Sequence, residues 1–221
     1  MLQGFSTQNG TGITIYGDYC DLRSLYLTID KIANKVFQVE DDPRYITLMS
    51  FSYDVRKGYS GQRLEEEIAF DGDRKIEYFG FQFLWPDLLI FITVLRYQAA
   101  FSMTNELDQA NLYLLEHITK KALEEYDQEG AAKLKNLIGQ GIDIFDPLLV
   151  QINEFINIEY LKLKPTKKRF RDLYALMTNY FSPWTEDGKN LKKFLDEKAK
   201  ELGTTADKIT FDEKELPEVI W

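Results

Sequence analysis

The stretch that most constrains this chain is Gly12–Ala33, GITIYGDYCDLRSLYLTIDKIA. Ile13 and Ile15 alternate with Thr14 and Tyr16, the period-two pattern of a β-strand. From Leu22 onward, Leu25, Ile29, Ile32 and Ala33 recur at helical spacing on one face. The chain must therefore turn from strand to helix at Tyr16-Gly17-Asp18. Asp18 suits the N-cap, and Asp21, three positions on, places a second carboxylate against the unpaired N–H groups of the first turn. Such a corner is where ligand sites often form. Two aspartates there also repel a phosphate, and the glycines of Thr7–Gly12 precede the strand where a phosphate loop would follow it.

Flanking segments predict an antiparallel sheet. Asn9-Gly10 and Asp71-Gly72 are dipeptides suited to tight hairpin turns. The first joins Leu2–Gln8 to Thr11–Tyr16, and the second joins Glu65–Phe70 to Lys75–Leu84. Tyr45–Tyr53 also alternates and reads as a further strand, with Asp54 capping a short helical turn that stops at Gly58 and Gly61. Aromatic residues on both faces of Lys75–Leu84 point to a central strand. The expectation is an α+β fold: a mainly antiparallel N-terminal sheet of about five strands with a helix packed on it, then a helical half.

That helix runs Pro86–Met103 and is apolar nearly all round; the ones after it follow caps or breaks at Thr104, Asp146-Pro147, Pro165-Thr166 and Ser182-Pro183. Leu107, Asn111, Leu114, Ile118 and Ala122 form one expected inward stripe, and Leu191, Phe194, Leu195 and Leu202 another. A short extended segment is expected at Ile209–Phe211. Composition shifts near residue 104, so the chain divides into 1–103 and 104–221, or forms one continuous domain.

Charge and residue counts narrow the function. A net charge of −9 disfavours duplex nucleic acid and anionic membrane as partners of the whole surface. Cys20 and His117 are each the sole residue of their type, which removes internal disulfides, Cys/His zinc sites and any histidine pair. No metal or cofactor is expected, because capping explains Asp18 and Asp21 without a cation. The opening MLQGFSTQNG has no signal-peptide pattern, and the apolar run Leu88–Leu95 falls short of the ~20 residues of a bilayer span. A cytoplasmic location follows as the expectation.

Two segments are dense in functional side chains. In Tyr53–Arg63, Arg56, Lys57 and Arg63 could hold an anion with phenol donors from Tyr53 and Tyr59. With Tyr16, Asp18 and Asp54 they give a candidate ligand-binding set of Tyr16, Asp18, Tyr53, Asp54, Arg56 and Arg63. The basic run KLKPTKKRFR places Lys168, Arg169 and Arg171 on an expected outer helix face, a candidate nucleic-acid contact set against the acidity of the whole.

The wording YGDYxDLxxLY, followed by YDxR, resembles an uncharacterised family of bacterial proteins, a domain of unknown function. The resemblance covers the first third of the chain, implies a bacterial cytoplasmic protein, and transfers no catalytic residue. The leading expectation is a non-catalytic binding or scaffold protein whose partner is another protein or a second copy of itself. A small enzyme with an anion site where residues 16–21 meet 53–63 is one alternative. A nucleic-acid-associated protein acting through 162–171 is the other.

Overall fold

A four-stranded antiparallel sheet in the order β1-β2-β4-β3 forms the N-terminal half of the structure, a computed structural model that describes residues 1–36, 41–71, 74–211 and 217–221. β1 (Gln3–Ser6) and β2 (Gly12–Gly17) are the first hairpin. Its turn closes through the Thr7 N–H donating to the Gly12 carbonyl (2.9 Å), and Gly10 supplies the left-handed φ of 63°. Helix α1 (Tyr19–Val36) follows, and its start is the reciprocal box expected: the Asp21 N–H donates to Asp18 (2.8 Å) and the Asp18 N–H to Asp21 (3.2 Å). Leu22, Leu25, Ile29, Ile32 and Ala33 are all buried.

The expected strand at Tyr45–Tyr53 is instead part of α2 (Pro43–Tyr59), so there are four strands and not five among the described residues. Both periods are present in this sequence, and the helical one wins because it is the one the core can use. Leu48, Phe51, Ser52, Val55 and Gly58 fall on one buried face. Asp42 caps the helix by accepting from the Arg44 N–H (2.8 Å), and Pro43 opens it. Asp54 therefore sits within a helix and caps nothing. Phe51 stacks on Phe91 (3.8 Å between centroids, 9° between planes) and meets Phe81 and Phe83 edge-on.

β3 (Leu64–Asp71) and β4 (Arg74–Leu84) form the second hairpin, whose Gly72 lies outside the described residues. β4 is central, as expected. Phe81 and Phe83 enter the core, while the opposite face, with Tyr78, Gln82 and Leu84, is only half-buried. α3 (Trp85–Ala99) is buried along almost its whole length but stops before the expected Met103, leaving Phe101 and Met103 exposed.

α4 (Glu106–Tyr126) is capped by Asn105, not Thr104, in a box with Asp108; Leu107, expected inward, is exposed and Leu112 and Leu115 take the stripe. α5 (Gln128–Leu134), α6 (Leu149–Lys162), α7 (Lys167–Phe181) and α8 (Glu186–Leu202) complete the helical half. Phe194 and Leu202, also expected inward, are exposed, because the buried stripe of α8 is Leu191, Leu195 and Ala199. No strand forms at 209–211. Among the described residues no helix is long and apolar enough to cross a membrane.

One hydrophobic cluster runs from Leu2 through both halves to Ile209. The tip of the first hairpin is seated in the helices. The Tyr160 hydroxyl of α6 donates to the Gly10 carbonyl (2.5 Å), and Arg169 of α7 donates to the Asn9 carbonyl (3.0 Å) and the Thr11 hydroxyl (2.7 Å). Tyr126 of α4 lies where a Cβ on Gly10 would stand, 2.2 Å away. Gly10→Ala must therefore displace a ring as well as strain the backbone, and should cost roughly 2–4 kcal/mol. Gly203 has a similar φ of 65° with nothing near its Cβ position, so Gly203→Ala should cost only about 1 kcal/mol. Urea unfolding of both variants separates the two costs; equal losses would mean that the ring does not resist.

Candidate functional site

The residues singled out in the sequence do not converge on one place. Tyr16 stands on the outer sheet face and donates to Glu66 (2.8 Å); burial, then the Glu66 carboxylate, pushes its phenol up to about 12. Asp18 is occupied as a helix cap. Asp54 of α2 accepts two hydrogen bonds from Arg63 (2.8 and 3.1 Å), and Arg56 lies over the Tyr53 ring. The two segments do touch, but through Tyr59, which meets Tyr19 and Tyr26 edge-on at 5.6 and 5.8 Å. Their junction is aromatic packing.

The basic run is likewise divided. Arg169 is buried against the Tyr160 ring and does not share the outer face with Lys168, because it faces the hairpin tip alongside the inward Phe170. Arg171 forms a two-pronged ion pair with Asp127 (2.8 Å for each prong) and reaches Glu129 at 2.5 Å. Arg171 and the Gly130 N–H hold the Asp127 carboxyl down at about 2. Lys168 is exposed. His117 and Cys20 are also exposed.

A different group of polar residues meets inside the fold. Asp87 lies in the first turn of α3, and its Oδ1 accepts from Asn153 Nδ2 (2.6 Å) and Asn157 Nδ2 (2.7 Å). The two asparagines stand four residues apart on α6 and so present their amides to the same spot. These three side chains line a cavity of about 210 Å³ with Glu154 of α6, Phe83 of β4, and Thr47 and Ser50 of α2. Ser50 is exposed, placing it at the mouth.

The electrostatics of this cavity are one-sided. Burial pushes the Asp87 carboxyl above its ordinary range; the two amides offset part of that, and the Asp54 charge adds to it. Glu154 is pushed up too, by burial and by Asp87, against the opposing pull of the Phe211 N–H. Among the described residues no lysine, arginine or histidine lines the cavity. The second oxygen of Asp87 accepts no hydrogen bond among the described residues. The Oδ1 atoms of Asn153 and Asn157 are buried without a partner, and Asn157 is only 8% exposed. The cavity thus offers several acceptors and no cationic donor among the described residues; of its two hydroxyls, that of Thr47 already donates to the Pro43 carbonyl. It suits a cation or a strong hydrogen-bond donor carried by a ligand.

Metal chemistry fits less well. Both amides turn N–H groups toward Asp87, which a coordinated cation would repel, and among the described residues no cluster of three or more His, Cys, Asp or Glu is arranged to hold a metal.

Residues 2–221 match the family model described as Domain of unknown function (DUF6904). The chain belongs to this family. The match covers nearly the whole chain and is to an uncharacterised domain family, as the resemblance implied. No curated protein and no solved structure matches it.

Asp87 gives a test of this electrostatic account without any ligand. A carboxyl whose pKa is raised by folding is held protonated more tightly in the folded chain than in the unfolded one. It costs nothing below about pH 4 and progressively lowers stability as pH rises above that value. Asp87→Asn removes this cost. At pH 7 the variant should be more stable than the parent by on the order of 1 kcal/mol, and the gain should vanish at pH 3. Urea unfolding at the two pH values measures it; a difference that ignores pH would refute the cause assigned.

Proposed function

We propose that this protein is a non-catalytic binding protein whose ligand site is the Asp87 cavity, and that the ligand enters with a cationic or strongly donating end. The observation that carries this is Asp87 itself: a half-buried carboxylate steadied by two amides, with no basic side chain lining its cavity among the described residues. The buried aspartates among the described residues have cationic partners: Asp108 has Lys31, Asp127 has Arg171 and Asp146 has Lys192. An uncompensated one facing a cavity is the arrangement expected where the counter-charge arrives with a ligand. The fixed amides suit holding a group in place.

A protein partner, as the sequence suggested, has separate support. Tyr97, Phe101 and Phe145 form an exposed aromatic group in which the Tyr97 ring lies about 5 Å from each of the other two. The finer setting we take is the cytoplasm of a bacterium. The bacterial part rests on the sequence resemblance, and an exposed unpaired Cys20 suits a reducing compartment.

The site reading is tested with n-butylamine, the smallest probe with one ammonium and a short apolar tail. Calorimetric titration at low salt should show one saturable site. Asp87→Asn should weaken it by about ten- to a hundred-fold, the loss expected of a charge-assisted hydrogen bond. Binding that survives Asp87→Asn, or none in the parent, would dismiss the reading.

A further inference from the structure

Beyond the Asp87 cavity, past Ile46 and Val150, lies a second, wider one of about 440 Å³. Those two apolar side chains line both cavities, so the two spaces adjoin across a shared wall. The outer cavity carries three carboxylates, Asp41, Asp196 and Asp207, from three separate parts of the chain. No lysine or arginine lines it, and none of the three carboxylates has an ion-pair partner among the described residues. The nearby cation Lys192 is already held by the buried Asp146.

Taken together as one trough across Ile46, which is 43% exposed, the two adjoining cavities repeat one chemistry. At the inner end Asp87 and Glu154 stand with the partnerless amide oxygens of Asn153 and Asn157; at the outer end are three open carboxylates. Between them the surface is hydrocarbon. A single ammonium would leave the outer charges unanswered. A metal ion would find nothing to bind at the apolar middle. A ligand with cationic ends joined by methylenes matches all three parts, because each end meets carboxylates and the spacer lies on Ile46 and Val150.

The geometry points to a linear aliphatic polyamine as the ligand of this trough, with one ammonium at Asp87 and the next among Asp41, Asp196 and Asp207. This rests on the Asp87 site proposed above and names the class of ligand that fills it. The narrow inner cavity favours a free amine terminus over a protein chain, whose lysine would have to bring its backbone to the mouth.

The test compares n-butylamine, putrescine and spermidine on the parent protein and on an Asp196→Asn/Asp207→Asn double variant. Both substituted residues are exposed, so the fold should tolerate the change. Spermidine should bind the parent about ten-fold more tightly than n-butylamine, since its second ammonium binds as a tethered group. The double variant should bring spermidine to within about two-fold of n-butylamine while n-butylamine itself is unchanged. If n-butylamine binds and the longer amines bind no better, the trough inference falls and the Asp87 site stands. If no amine binds the parent, both fall. Binding of an oligolysine peptide without binding of spermidine would also overturn it, in favour of a basic protein segment.

Discussion

The seating of the first hairpin in the helical half is the contact on which the rest of the structure depends. A tight turn leaves backbone carbonyls pointing outward, and water satisfies them when the tip is exposed. Here Gly10 and Thr11 are buried and Asn9 is half-buried, and Tyr160 and Arg169 supply the donors that water would have given. Arg169 brings a charge into the same place, steadied by the Tyr160 ring. Tyr126 fills the space that only a glycine leaves open. Three helices are fixed against one turn.

That arrangement reaches the candidate site through α6. Tyr160 follows Asn157 by three residues and Asn153 by seven on the same helix, so anchoring Tyr160 at Gly10 sets the height and rotation at which the two amides face α3. Asp87 is fixed from the other side. It stands at the start of a helix whose side chains are almost all in the core, directly after the central strand β4. Asp87 itself is half-buried and faces the cavity. The fold thus holds an electrostatic cost in place, which is how binding sites commonly differ from the surrounding scaffold.

The parts of the fold legible in the sequence were those decided locally. Asn9-Gly10 announced its turn, and Asp18 with Asp21 announced the start of α1, because a few neighbouring residues settle each. Residues 45–53 carry aromatic and β-branched side chains that fit both periods; only the position of Phe51 against Phe81, Phe83 and Phe91 chooses between them. The Asp87 site was not legible at all. Asp87 lies 66 and 70 residues from the asparagines that hold it, and each of the three is ordinary in its own surroundings. Arg56, Arg63, Arg169 and Arg171 are charges conspicuous in sequence, and the fold uses them on rings, ion pairs and a turn. A faint signal existed in the Asn-x-x-x-Asn spacing beside the inward Ile152 and Ile156.

The central claim is that Asp87 is a half-buried carboxylate awaiting a counter-charge, and carbon-13 NMR of its carboxyl reads this directly. In the free protein the Asp87 resonance should titrate with a midpoint clearly above that of an ordinary aspartate. Saturating n-butylamine should move that midpoint downward, as an adjacent cation favours the ionised form. A midpoint at the ordinary value in the free protein, or one that the amine leaves in place, would contradict the account.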